Sequence, residues 1–194
     1  LARTTPDAVR DVYLTAIRQS PLPVGIYDRG KFGAVVVPDA VLKQIYQEKN
    51  VVMIKDSSTS DEHLRIALAA KRRRPELQLL TGWEFECVKY LAAGYDGVLL
   101  GGGVFNGFLA GQIMAAMAAG DRRRAEQLQA RMNRMMFAVY GGKKITCWLA
   151  GEKKLLMELG IFSNWRNHPG YSLTRSCEKA IQATLKRDAA YLLP

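Results

Sequence analysis

Cysteine, histidine and long apolar runs are all scarce in this chain, and each scarcity closes off a class of protein. Three cysteines, Cys87, Cys147 and Cys177, stand far apart with no CxxC pair, and the only histidines are His63 and His168. An odd, scattered set of this kind supports neither a disulfide framework nor a zinc site, and it fits a reducing cytosol. No apolar run approaches the roughly 20 residues of a membrane-spanning helix, and no apolar signal segment opens the chain, so a soluble, cytoplasmic protein is expected. What remains is 194 residues, 48% hydrophobic and 24% charged, ordinary globular composition with enough apolar material for a real core.

The charge is less ordinary. The formal net charge is +10, and much of it lies in Lys71 to Arg74 and Arg122 to Arg124, each on or beside an expected helix. No aromatic residues interleave with these runs to stack on bases, so they read as solvated helix faces, and nucleic-acid binding is not expected.

Periodicity organises the chain. From Pro6, apolar residues at Ala8, Val9, Val12, Tyr13, Ala16 and Ile17 predict an amphipathic helix with Thr5 as N-cap and Pro21 just beyond its end. A strand is expected over Leu22 to Tyr27, a loop to about Val37, and a helix over Pro38 to Glu48 with Pro38 in its first turn. Val51 to Lys55 is a second strand, and Thr59 or Ser60 caps a helix reaching Arg74. Leu77 to Thr81 is a third strand, Glu84 to Ala93 a helix, Gly97 to Leu100 a fourth strand, and Gly101 to Gly103 precede a helix rich in alanine and methionine. Such alternation signals βα units and a parallel sheet. It stops after Gly120, where Asp121 to Tyr140, Ile145 to Leu159 and Leu173 to Ala190 all read as helices.

Within this frame the stretch NVVMIKDSST, Asn50 to Thr59, carries the most chemistry. Its short apolar run predicts a strand buried on both faces, as in a parallel sheet. Lysine is rarely buried without cause, and at the carboxyl end of a parallel strand Lys55 stands where such folds hold substrates.

Four stretches in register resemble the pyruvate-dependent class I aldolases and lyases of the dihydrodipicolinate synthase and N-acetylneuraminate lyase family. They are LPVGIYD, like the family's tyrosine-bearing fifth strand; NVVMIKDSS, like its lysine-bearing sixth; LQLLTG, like the seventh; and AAGYDGVLLGGG, like the eighth. EKKLLMELGI resembles the family's lysine-containing C-terminal helix. The resemblance implies a (β/α)8 TIM-barrel fold of which only the last four βα units are present, residues 1–120, followed by a helical C-terminal extension, residues 121–194. The periodicity agrees, since such barrels take roughly 200 to 250 residues or more and the βα alternation here stops after Gly120.

The resemblance also implies a reaction. In the family a lysine attacks the ketone of pyruvate to give a Schiff base that serves as an electron sink, and by position that lysine is Lys55. The chemistry needs a neutral amine, which apolar surroundings favour. Tyr27 matches the tyrosine that relays protons, a task suited to a phenol that both donates and accepts. Ser57, Gly82, Glu84 and Gly101 match positions where sialic-acid-type lyases contact the hydroxylated part of the substrate, although those lyases have serine at the place of Gly101. Gly101 to Gly103 read either as a permissive turn before a helix or as a phosphate cradle. Trp83 either walls the acceptor pocket or covers the barrel rim. No cofactor is implied beyond the covalent Schiff base. The partners implied are pyruvate, an aldehyde or 2-keto acid substrate, and copies of the chain itself, as a homotetramer.

Two departures shape the expectation. Phe32 stands where dihydrodipicolinate synthases carry an arginine for the second substrate's carboxylate, with Arg29 and Lys31 displaced from that place, which favours a sugar-acid aldolase or dehydratase over lysine biosynthesis. The family's Gly-Thr-Thr-Gly-Glu segment, which holds the pyruvate carboxylate, belongs to the first four strands, as does a second relay tyrosine supplied by a neighbouring subunit. Thr4 and Thr5 lack the glycines and do not replace that segment. A 194-residue chain then carries the nucleophile without the carboxylate clamp. The competing reading is a non-catalytic homologue acting as an oligomeric interaction or regulatory subunit. A third, nucleic-acid binding through the two basic clusters, predicts strongly salt-dependent affinity.

Overall fold

The computed structural model describes residues 5–192; Thr4 lies outside them. The chain divides into two compact units, the first running to Leu100 and the second starting at Gly101.

The first unit alternates as the periodicity predicts: α1 (Pro6–Gln19), β1 (Val24–Asp28), α2 (Asp39–Ile45), β2 (Val51–Asp56), α3 (Asp61–Arg73), β3 (Gln78–Thr81), α4 (Cys87–Ala93) and β4 (Gly97–Val98). The strands form one sheet in the order β1-β2-β3-β4, every neighbouring pair parallel. Thr5 caps α1 by accepting from the Ala8 amide, and Ser60 caps α3 by accepting from the His63 amide. The helices pack on one face of the sheet, where Ile26, Ile54, Leu79, Leu42, Ile45, Ile66 and Ala67 form the core. Each of the larger apolar side chains buried there contributes roughly 1.5–3 kcal/mol.

In this unit four expectations need correction. β2 is not buried on both faces: Ile54 is fully buried, but Val52 is 41% exposed and Lys55 is half-buried, because the helices cover one side of the sheet only. Pro38 is the N-cap of α2 rather than part of its first turn, since its backbone is extended (φ −62°, ψ 144°). The helix expected from Glu84 starts with a 3-10 turn, Glu84–Glu86, and becomes α-helical only at Cys87. The Lys71 to Arg74 run is not simply a solvated face. Arg72 and Arg73 are exposed, but Arg74 reaches under α3 to donate to the carbonyls of Tyr46, Glu48, Lys49 and Val51, and Lys71 binds Asp96 at 2.8 Å and the Leu77 carbonyl.

The second unit is helical: α5 (Gly103–Ala118), α6 (Arg122–Val139), α7 (Trp148–Glu158) and α8 (Arg175–Arg187). Phe105, Leu109, Ile113, Met132, Met136, Leu155 and Ile181 fill its core. Asp121 and Thr174 cap α6 and α8. The helix expected from Ile145 begins at Trp148, because Ile145 takes a left-handed conformation (φ 53°) that ends any helical run through it. None of the described helices is long and apolar enough to cross a membrane.

Candidate active site

Successive residues of a strand point to opposite faces, so the ends of β1 and β2 each deliver two kinds of side chain. Tyr27 pairs in register with Lys55, and Asp28 with Asp56. The first pair lies on the open face of the sheet and the second on the buried, helix-covered face.

On the open face the Lys55 amine stands 4.2 Å from the centroid of the Tyr27 ring. Tyr27 is 53% exposed, and the Arg29 guanidinium lies on the same ring at 6.0 Å. Among the described residues no carboxylate is within ion-pair distance of Lys55. The end of β3 brings Gly82 against this lysine. A Cβ at Gly82 would stand 2.8 Å from Lys55 Cε and would collide with Ser57 Oγ, so the glycine makes room for both side chains. The Ser57 hydroxyl is buried and has no hydrogen-bond partner, which costs about 1–3 kcal/mol unless a ligand satisfies it. A groove of about 330 Å³ borders Tyr27, Arg29, Gly33, Val35 and Tyr13.

Tyr27, Lys55, Ser57 and Gly82 are therefore together. Glu84 is buried in the 3-10 turn just after them, where its carbonyl accepts from the Cys87 thiol. Gly101 belongs to the second unit, before α5, with open space where a Cβ would be. Phe32 ends a 3-10 turn and is 50% exposed, with the Lys31 amine over its ring.

Beneath this surface lies a polar layer that the sequence reading missed. Asp28 is 5% exposed and accepts from the Gly30 amide (2.9 Å), the Tyr46 hydroxyl (2.9 Å) and His63 Nδ1 (2.7 Å). Asp56 is fully buried and accepts from the Ser58 amide (2.8 Å) and the Tyr95 hydroxyl (2.7 Å). Thr81, next in the row, accepts from the Trp83 amide. Three neighbouring strands thus end in the same way, with a short polar side chain binding the amide two residues on. The main chain ties the posts together: the Ser57 amide donates to the Asp28 carbonyl and the Gly82 amide to the Asp56 carbonyl. The result is a stiff platform under the open-face side chains.

Burial alone would raise the Asp28 carboxyl, but hydrogen bonds from His63, Gly30 and Tyr46 outweigh it and hold the group below its usual value. The hydrogen bond to Asp28 raises His63 against the opposing effect of burial. Burial, and then the charge of the neighbouring aspartates, pushes the Tyr46 and Tyr95 hydroxyls far up, so both remain neutral donors. Among the described residues no group of three or more histidine, cysteine or acidic side chains is placed to hold a metal.

Comparison with known proteins places the fold. The Dihydrodipicolinate synthetase family matches residues 2–188. A probable 2-dehydro-3-deoxy-D-pentonate aldolase of Escherichia coli is 27% identical over 132 residues, 67% of this chain and 44% of that one. Among solved structures, a dihydrodipicolinate synthase from Bacteroides thetaiotaomicron superposes with a TM-score of 0.80 at 23% identity, over 94% of this chain and 62% of the other. An E. coli prophage protein of the dihydrodipicolinic acid synthase family, solved with pyruvate, gives 0.78 at 18% over 95% and 62%. N-acetylneuraminate lyase from Fusobacterium nucleatum gives 0.77 at 15% over 98% and 62%. The chain spans less than half the length of the curated relative and less than two thirds of these solved chains. With a parallel α/β sheet and a family match over nearly its whole length, this chain belongs to the dihydrodipicolinate synthetase family.

Proposed function

We propose that the chain is the C-terminal half of a (β/α)8 barrel, the last four βα units (1–120) and a helical extension (121–194), of a pyruvate-dependent aldolase or dehydratase acting on 2-keto-3-deoxy sugar acids. The observation that carries this reading is the Lys55 amine 4.2 Å from the Tyr27 ring, at the carboxyl ends of adjacent parallel strands, beside a buried hydroxyl without a partner. The two unpaired sheet edges, β1 and β4, and the exposed Tyr27, Val52 and Leu99 are what half a barrel would leave open.

In this reading the Lys55 amine attacks the ketone carbon of pyruvate. The carbinolamine loses water to give a protonated imine, with the Tyr27 hydroxyl handing protons between nitrogen and oxygen. The imine accepts electrons when a carbon-carbon bond breaks, and returns them as an enamine when one forms. Ser57 Oγ gains a substrate oxygen as its missing partner. Gly82 keeps the lysine chain unobstructed, Glu84 borders the hydroxylated end of the substrate, and the working protein is a cytoplasmic homotetramer needing no cofactor. The test is cleavage of 2-keto-3-deoxy sugar acids by the longest product of the gene. Release of pyruvate that vanishes in Lys55→Arg supports the reading, and equal release by the variant refutes it.

A second reading is favoured by the same exposed apolar residues: a non-catalytic subunit whose open sheet face is covered by another chain. It predicts a stable oligomer that forms no adduct with pyruvate.

A further inference from the structure

His63 sits where a cation is costly. It lies in the first turn of α3, whose unpaired amides carry partial positive charge, and it is only 7% exposed. Two carboxylates face it from other elements: Asp28 of β1 at 2.7 Å from Nδ1, and Asp39, the first residue of α2, at 3.4 Å from Nε2. Nδ1 is hydrogen-bonded to Asp28 and Nε2 stands within ion-pair distance of Asp39, so the doubly protonated ring serves both carboxylates at once. A neutral ring has one N–H and must leave one of them.

We infer that His63 is a positioning residue whose imidazolium bridges Asp28 and Asp39, locks the first turns of α2 and α3 to the end of β1, and thereby fixes the backbone that holds Tyr27 beside Lys55. The inference rests on the Schiff-base reading only for its effect on the reaction. The mechanical path is short. Asp28 directly follows Tyr27, its Oδ1 holds the Gly30 amide, and its carbonyl receives the Ser57 amide. Gly30 has φ 48° and sits so close to Ser58 that a Cβ there would come within 2.8 Å of Ser58 Cβ, so movement at Asp28 is passed to the β2 loop.

The other charges around the ring have the same sign or are screened. Asp56 of β2 adds a weaker favourable field. Glu62, next to His63 on α3, is held by Arg65 and by Lys43 of α2, and Tyr46 shares Asp28 as a neutral donor. The raised affinity of His63 for its second proton follows from this set, led by the Asp28 hydrogen bond. The bridge is therefore complete below the ordinary 6.5 and is lost as the pH rises through the raised value.

The experiment is an NMR titration of the whole chain, following the His63 ring, the Gly30 amide and the Tyr27 ring. Only His168 shares the imidazole region, and His63→Gln assigns the signals. The expected result is one midpoint, above the ordinary 6.5, shared by all three groups. Asp39→Asn, at a 52% exposed side chain where folding is not at risk, should move that midpoint down. Constant Gly30 and Tyr27 signals while His63 titrates would overturn the inference, as would a midpoint at or below 6.5. Borohydride trapping of pyruvate on the longest product of the gene adds the chemical readout: the ratio of wild-type to His63→Gln rates should fall several-fold from pH 6 to pH 9. A flat ratio with intact trapping contradicts the positioning role. Absence of trapping in both proteins refutes the Schiff-base reading and leaves the NMR coupling to decide the inference.

Discussion

Asp28 and Asp56 stand side by side at the ends of neighbouring strands, each binding an amide two residues on and each receiving a tyrosine hydroxyl. Only Asp28 also binds a histidine. Asp56 is fully enclosed and serves the strand that carries Lys55, whereas Asp28 serves the strand that carries Tyr27 and is linked through His63 to the half-exposed Asp39. The difference teaches that histidine protonation bears directly on the post of the tyrosine strand and only indirectly, through the Asp56 field and the Ser57 amide, on that of the lysine strand. A nucleophile needs a fixed position, whereas a proton relay gains from adjustment.

The comparison breaks most severely if the enclosed post is removed. Asp56→Ala leaves the Tyr95 hydroxyl and the Ser58 amide unpaired in a buried site, and should cost about 2–6 kcal/mol in urea unfolding, two buried groups at about 1–3 kcal/mol each. Gly82→Ala tests what this post supports. A Cβ 2.8 Å from Lys55 Cε displaces the nucleophile, so pyruvate trapping should slow about tenfold to hundredfold while the fold persists. The paired variants Tyr95→Phe and Tyr46→Phe sharpen the contrast. Each removes one hydrogen bond of about 1 kcal/mol, but Asp28 keeps His63 and Gly30 as donors while Asp56 keeps only Ser58, so Tyr95→Phe should be the more destabilising.

The smallest effect is the pH dependence. His63 is raised in the folded state, so its contribution to stability is complete below the ordinary 6.5 and disappears as the pH rises through the raised value. Asp28 is lowered, so its contribution is complete above the ordinary 3.8 and disappears as the pH falls through the lowered value. The stability difference between wild type and His63→Gln, measured by urea unfolding, should therefore be larger at pH 5.5 than at pH 9. A difference that grows toward alkaline pH would contradict the assignment.

The alternation of strands and helices could be read from the sequence because each element buries one face and so keeps its period. The cap Thr5 announced itself by residue type, and of the two candidates Thr59 and Ser60 the structure uses Ser60. Lys55 and Tyr27 were visible as polar ends of apolar runs. The polar layer was not, for two reasons. Asp28 and Asp56 look like loop residues, since aspartate is a poor strand former and nothing local says that it closes a strand. Their partners are far along the chain: Tyr46 is 18 residues from Asp28, His63 is 35, and Tyr95 is 39 from Asp56. A tyrosine in an apolar stretch reads as core until its hydroxyl is seen to have a partner. Arg74 was hidden in the same way, inside a basic run whose exposed members set the expectation.

The most direct test of the account is intact and peptide mass after incubation with pyruvate and borohydride, on this chain and on the longest product of its gene, each with a Lys55→Arg control. The account predicts a pyruvate-derived mass increase on Lys55 of the longer product, absent from the control. An increase on neither product, or one that persists in the control, would contradict it.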